Sequence, residues 1–276
     1  MRRDRITITI RRDVLERLDA IIDGDKIRNR SNAIETIVLR ELKTQPLSKA
    51  VILAGDGAIK LNGRQVLKPL LPLGEKTLIE KNIEHLNKSG VKELILAVGK
   101  TGKQIKKHLG NGSRFGVKIF YFQSIAGSAE ILIKAKTRLN STFLFANGDI
   151  LLETIDLEDM YRFHKKNQAA ATIAVATSSD PSRLGSIFVK GNMINDFREK
   201  AAGENDQSNL INGGVYLFEP KVLEQIKPSE ISLEKNLFPR LAKAGKLSGY
   251  QIGKNWVHLH EADRYLDYIK NNLSAD

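Results

Sequence analysis

The sequence predicts an α/β protein in two parts: a strand-helix-helix module over residues 1–46, then a doubly wound, mostly parallel sheet over residues 47–276. Three observations carry that prediction. Residues 5–10 read RITITI, a strict alternation, and give way to two stretches of helical periodicity. The segment KTQPLSK at 43–49 is polar and holds Pro46, which suits a connection between modules. From Ala50 onward, short apolar runs alternate with amphipathic stretches, the pattern of strands joined by crossover helices.

Composition bounds the rest. With 276 residues, 41% hydrophobic and 28% charged, the chain can form one large or two smaller globular domains. The apolar run AAATIAVA at 169–176 is interrupted by Thr172. It falls short of the ~18–20 residues of a membrane span and reads as a buried strand. Charges fill the N-terminal MRRDRITITIRR, where a secretory signal would be apolar, and the absence of cysteine excludes disulfides and thiolate metal sites. A cytoplasmic protein with no membrane partner is the expectation. Lys and Arg number 44 against 32 Asp and Glu, a net charge of +12, which favours anionic partners. The excess is spread through both parts, +3 over residues 1–46 and +9 over the rest, but Arg2, Arg3, Arg5, Arg11 and Arg12 stand against a single Asp4 at the extreme N-terminus.

In the first module, Ile6, Ile8 and Ile10 share one strand face, and Arg5, Thr7 and Thr9 the other. Asp13 is the expected N-cap of a helix carrying Val14, Leu15, Leu18, Ile21 and Ile22, with Gly24 as its stop. Ser31 is the expected N-cap of a second helix, with Ile34, Ile37, Val38 and Leu42 on one stripe. A module this small with one unpaired strand leaves backbone groups unmet and buries too little surface alone, so it calls for a partner chain. Residues 4–43 resemble a ribbon-helix-helix DNA-binding domain of the Arc and MetJ type, in which two chains pair their strands. The resemblance implies double-stranded DNA as partner and a homodimer through the N-terminal strands, or a tetramer of such dimers. It implies that Arg5, Thr7 and Thr9 read base edges in the major groove, and that amides around Ser31 and Asn32 hold a phosphate. A plain dimerisation arm, with Thr outward because Thr suits strands, is the blander alternative.

In the second module the expected strands are AVILAG (50–55), ELILAVG (93–99), VKIFYF (117–122) and TFLFANGD (142–149). The expected helices are TLIEKNIEHLNKSG (77–90), TGKQIKKHLG (101–110) and residues 128–138. The lysines of 101–110 read as a solvated helix face. In such sheets ligands sit beyond the carboxyl ends of the strands. There the loop after the first strand carries Gly55, Gly57 and Gly63 with Lys60, Arg64 and Lys68, a set able to wrap and neutralise phosphates. It is neither the dinucleotide fingerprint nor the Walker pattern.

Further pieces follow in order: VILAG, KPLLPL and LIE, then GSA at 127–129, NGD at 147–149 and REK at 198–200. INGGVYLF at 211–218, SLEKNLFPRL at 232–241 and a last segment around Trp256 complete the series. Together they resemble the sugar-phosphate nucleotidylyltransferases over residues 51–272. The resemblance implies a Rossmann-like nucleotidylyltransferase fold and a reaction that joins an NTP to a sugar 1-phosphate, releasing pyrophosphate with the help of Mg²⁺. Lys68 matches the lysine of the family's Pro-Lys-Pro segment and, with Gly55, Gly57 and Lys60, makes the expected nucleotide- or phosphate-binding set. Glu199, Lys200, Asn212 and Gly213 match the sugar-binding residues, and Asp149 the first metal ligand.

Two departures matter. Ala58, Ile59 and Lys60 follow Gly57 where the family places a Thr-Arg or Ser-Arg pair, so the transition-state arginine is not in place. His258 stands where the second metal aspartate would be, and an imidazole is a poor ligand for Mg²⁺, which prefers hard oxygens. The expected function is therefore a DNA-binding transcriptional regulator whose second domain binds a sugar nucleotide, sugar phosphate or NTP as effector. The alternative is an active sugar-1-phosphate nucleotidylyltransferase with an autoregulatory DNA-binding arm.

Overall fold

The computed structural model describes residues 6–24, 27–43, 47–124, 127–178, 185–199, 208–253 and 256–272. It divides into two compact units, Met1–Pro46 and Leu47–Asp276. In the first, residues 6–10 carry no regular secondary structure, so the expected strand is not formed within the single chain. Helices α1 (Arg12–Asp19) and α2 (Arg30–Lys43) follow. Both expected caps shift. Asp13 lies inside the first turn of α1 behind Arg11, and Ser31 lies inside α2, where the Asn29 side-chain Oδ1 accepts from Asn32 N at 2.9 Å. An asparagine just before the helix reaches the third amide, which a serine already inside the turn cannot cap.

In the second unit, strand β1 (Lys49–Ala54) leads into a hairpin of β2 (Ala58–Leu61) and β3 (Arg64–Leu67). After the short pair β4 (Pro72–Leu73) and β5 (Lys76–Thr77) come α3 (Leu78–Lys88), β6 (Glu93–Val98), α4 (Gly102–Leu109), β7 (Lys118–Gln123) and α5 (Ser128–Lys134). Then follow β8 (Phe143–Asn147), α6 (Leu157–Asn167), β9 (Ala171–Thr177), β10 (Ser186–Lys190), β11 (Met193–Arg198) and β12 (Leu210–Phe218). Helix α7 (Phe238–Lys243), β13 (Leu247–Gln251) and α8 (Ala262–Asn272) complete the order. Helix α3 starts where a Thr77–Glu80 capping box satisfies its first amides. The lysines of α4 are exposed while Ile105 and Leu109 are buried, as a solvated amphipathic helix requires.

Nine strands form one sheet in the order β10-β11-β13-β9-β12-β8-β1-β6-β7. The expected mostly parallel sheet is corrected to a mixed one. Strands β8, β1, β6 and β7 are parallel, but β12 runs antiparallel between β8 and β9, and β11 antiparallel to both β10 and β13. Strands β1, β6 and β8 are buried on both faces, which explains their continuous apolar runs. Alternation splits the core: Ala50, Ile52, Leu144 and Ala146 pack on one side, and Val51, Phe143 and Phe145 on the other. A third cluster, with Ile59, Leu71, Leu151, Leu259 and Tyr265, ties the hairpin to the segments that follow β13.

One polar chain crosses the buried sheet. His164 Nδ1 lies 2.6 Å from Thr172 Oγ1, which lies 2.7 Å from Ser248 Oγ. His164 Nε2 sits 3.3 Å from a Glu219 oxygen, at ion-pair distance but without an aligned hydrogen bond, and Lys165 Nζ donates to the same carboxylate at 2.7 Å. The His164 ring, opposed by burial and helped by Lys165, holds the Glu219 carboxyl down to about 2. Because the folded value is depressed, Glu219 stabilises the fold above its ordinary range near 4.5, and that contribution disappears as pH falls toward about 2. Thermal melts of Glu219→Gln should lie below wild type at neutral pH, with the gap closing across that acid window; a pH-independent gap would refute the linkage.

Candidate active site

The site forms where the carboxyl ends of β1 and β8 meet. Leu53 of β1 pairs with Asn147 of β8, and Gly148 N donates to Leu53 O at 3.1 Å. A Cβ at Gly148 would stand 2.7 Å from that same oxygen, so only glycine lets the turn cross the end of β1 and deliver Asp149. On the β1 side, Gly55-Asp56-Gly57 leads into the hairpin, which Lys68 N closes by donating to Gly57 O at 2.9 Å. Asn62 and Gly63 turn it with positive φ of 48° and 79°. The chain therefore folds on itself between Gly57 and Lys68, where the sequence suggested a loop wrapped around phosphates. Lys60 lies exposed on this hairpin.

The Lys68 side chain returns beneath Gly57 and places its ammonium 3.1 Å from Asp149 Oδ2, both side chains about four-fifths buried. Residues 256–259 supply the opposite wall through an isolated antiparallel bridge between Ile150 and His258. Leu259 N donates to Asp149 O at 2.8 Å, and Leu151 N to Val257 O at 3.1 Å. His258 Nε2 is thereby set 3.4 Å from Asp149 Oδ2. Burial would raise the Asp149 carboxyl, but His258 and Lys68 outweigh it and hold it well below the usual carboxylate range. Asp149 is thus an anion with two partners already against it.

These groups line a cleft of about 530 Å³ together with Gly55, Gly57, Ser128, Glu234 and Lys235. A π-helical turn, Leu233–Leu237, carries Glu234, whose carboxylate accepts from Ser128 at 3.0 Å, Ser232 at 2.8 Å and Tyr216 at 3.3 Å. Asn212 joins this chain by donating its side-chain amide to the Tyr216 oxygen at 2.8 Å. Asn212-Gly213-Gly214 interrupts the β12–β9 register: a Cβ on Gly213 would meet Ala174 O at 2.6 Å, and Gly214 has φ of 72°. Trp256 donates its indole N–H to Gly213 O at 3.0 Å and ties this bulge to the His258 wall.

The structure therefore brings Gly55, Gly57, Lys68, Asp149 and His258 to one cleft. Asn212 and Gly213 reach it through Tyr216 and Trp256 rather than by lining it. Glu199 lies beside Gly185, which also neighbours Asn212. Lys200 and Arg5 are outside the described residues, while Thr7, Thr9 and Ser31 are exposed and Asn32 is half-buried in the other unit. Ser128, Glu234 and Lys235 were not singled out from the sequence as site residues, although GSA and SLEKNLFPRL contain them. A charged pair inside an otherwise amphipathic stretch was the available signal. Asp56 does not face the cleft chemistry: it accepts from Thr101 and from the amides of Lys100 and Thr101, which hold its carboxyl low and tie β1 to the start of α4.

Nucleotidyl transferases typically use Mg²⁺. The donor set here does not fit a two-carboxylate Mg²⁺ site: beside Asp149 stand an imidazole and an ammonium, and no cluster of three or more acidic, histidine or cysteine ligands occurs among the described residues. Nor is any described helix long and apolar enough to cross a membrane.

A family model described as nucleotidyl transferase matches residues 49–274. Mannose-1-phosphate guanyltransferase beta-A of Xenopus laevis is 30% identical over 79% of this chain, and the catalytic subunit beta of the Dictyostelium discoideum guanylyltransferase is 31% identical over 79%. The chain spans about 62% of the length of these relatives. Among solved structures, one described as a glucose-1-phosphate thymidylyltransferase of Bacillus anthracis superposes with a TM-score of 0.70 at 21% identity, covering 83% of this chain and 96% of that one. A UDP-glucose pyrophosphorylase complexed with UDP-glucose gives 0.67 at 18% identity, covering 82% and 98%. These two likenesses concern the fold. Through residues 49–274, which make up its second unit almost entirely, the chain belongs to the nucleotidyl transferase family.

Proposed function

We propose that the second unit recognises an NTP and a sugar 1-phosphate, or the nucleotide sugar they form, and acts as a sugar-1-phosphate nucleotidylyltransferase. The carrying observation is the Lys68–Asp149 pair, set by glycines at the ends of β1 and β8 inside the cleft. Such chemistry is positioning plus charge neutralisation: a sugar-phosphate oxygen attacks the α-phosphorus and pyrophosphate leaves. Lys68 supplies cationic charge, the backbone at Gly55 and Gly57 lets phosphate approach, and the Asn212–Tyr216–Glu234 chain orders the sugar side. The test is pyrophosphate release from each NTP with a panel of sugar 1-phosphates, mannose 1-phosphate and GTP first. Release that Asp149→Asn abolishes is expected; release unchanged in that variant would place the chemistry elsewhere.

His258 against Asp149, with Ala58–Lys60 in place of the family's arginine segment, favours a second reading. The cleft then binds without turnover, and its ligand is the effector of a DNA-binding transcriptional regulator. In this reading residues 1–46 pair with a second copy as a ribbon-helix-helix homodimer, or as a tetramer of dimers. Ile6 and Ile8 are 75% and 51% exposed in the single chain, apolar side chains that a partner strand would cover. Arg5, Thr7 and Thr9 then face base edges, and the start of α2 at Ser31 and Asn32 faces a phosphate. Arg5→Ala and Thr7→Ala should relax operator specificity while the dimer survives. Unchanged discrimination between operator and random DNA in gel-shift titrations would sink the ribbon assignment.

A further inference from the structure

We infer that the cleft binds the phosphates of its ligand without a divalent cation, with His258 in place of a second metal carboxylate and Lys68 facing Asp149 beside it. The inference rests on the cleft being the ligand site, which both readings above share. Its basis is the charge around Asp149. A second carboxylate placed beside Asp149 would put two anions within a few ångströms of each other and of an incoming diphosphate, an arrangement that only a strong cation can hold together. His258 removes that second negative charge. Among the described residues, the charged side chains lining the cleft are then Lys68 and Lys235 against Asp149 and Glu234, two of each sign.

Both acids are also already partnered. Asp149 Oδ2 has the Lys68 ammonium at 3.1 Å and the His258 ring at 3.4 Å, so a Mg²⁺ ion approaching this oxygen would have to displace an ammonium and face a nitrogen donor. Glu234 accepts from Ser128, Ser232 and Tyr216, so its carboxylate is already engaged by the chain's own hydroxyls. The imidazole cannot swing away freely. The bridge at Ile150 fixes its backbone, and its ring stacks on His260 at 4.2 Å and lies 5.4 Å from Trp256. The cation is therefore built from the chain itself, and the ligand meets a preorganised site.

Calorimetric titration of the full chain with GDP-mannose, once in millimolar MgCl₂ and once in EDTA, tests this directly. The expected dissociation constants agree within about threefold, or ~0.7 kcal/mol. His258→Asp should bind about tenfold more weakly in EDTA and recover with MgCl₂, because it recreates the pair of anions. Wild-type binding that weakens more than about tenfold in EDTA would overturn the inference while leaving the cleft as the ligand site. Should GDP-mannose, GTP and UDP-glucose all fail to bind in either buffer, the ligand-site reading falls and the inference with it.

Discussion

Lys68→Ala is expected to weaken nucleotide-sugar binding by about 100-fold, ~2.7 kcal/mol, the largest single loss in the cleft. Two effects add. The ammonium that meets the ligand phosphates is gone, and Asp149 keeps its negative charge in a mostly buried position with only His258 beside it. Truncating one member of a desolvated charge pair costs about 2–5 kcal/mol, largely because the other charge is left behind. Lys60→Ala is the control. Its side chain is exposed on the hairpin and outside the cleft lining, so its effect should stay within about twofold, the scale of an exposed charge. Calorimetry on both variants decides the matter, and comparable losses would mean that the hairpin closes over the ligand. Lys68→Ala combined with Asp149→Asn should bind better than Lys68→Ala alone, since the stranded anion is then removed.

Phe238→Ala is expected to destabilise the second unit by about 3–5 kcal/mol, the usual range for deleting a fully buried aromatic ring. Phe238 has no exposure and sits at the centre of an aromatic group on one sheet face. Its ring lies 4.9 Å from Tyr216, 5.3 Å from Phe197 and 6.1 Å from Phe218, the last in a near-parallel stack. The sheet strands that carry these rings are fixed by ladder hydrogen bonds, so the cavity cannot close by collapse. Chemical denaturation should show the loss as a shifted midpoint with an unchanged slope. Leu266→Ala, at a site 54% exposed, should change stability by less than about 0.5 kcal/mol. Because Tyr216 belongs both to this aromatic group and to the Asn212–Glu234 chain, Phe238→Ala should also weaken sugar-ligand binding.

The parallel half of the sheet was legible because its strands are buried on both faces and therefore read as unbroken apolar runs, as in Ala50–Ala54 and Phe143–Ala146. The antiparallel half was not. Strand β12 contains Asn212-Gly213-Gly214, and a bulge reads in sequence as a turn, so its place between β8 and β9 depends on pairing that no local pattern encodes. The β2–β3 hairpin had a local signal that was outweighed: Asn62-Gly63 between Ala58–Leu61 and Arg64–Leu67 is a strong short-range hairpin marker, yet the glycines and lysines around it suggested a phosphate loop. Asp149 and Lys68 were legible as chemistry, through the strand end and the lysine-proline step. Ser128 and Glu234 were not, because a serine and a glutamate in helical stretches look like ordinary solvated positions until the fold brings them together across 106 residues at 3.0 Å. Residues 6–10 alternate as a strand would, yet they form no ladder with any described segment of the single chain.

The isolated bridge between Ile150 and His258 has a consequence for how the cleft can open. Among the described residues, every strand of the sheet, the aromatic group on its face and the Lys68–Asp149 pair precede residue 252, so none of them is supplied by the segment that follows β13. The imidazole is delivered by that segment, a stretch held to the sheet through a few backbone bonds and the anchoring of Leu259 and Tyr265. Local opening of that stretch would leave the sheet folded while removing His258 from Asp149 and opening one wall of the cleft. Ligand binding would then be lost in a partial opening that leaves the sheet folded, and amide exchange at Leu259 would report it.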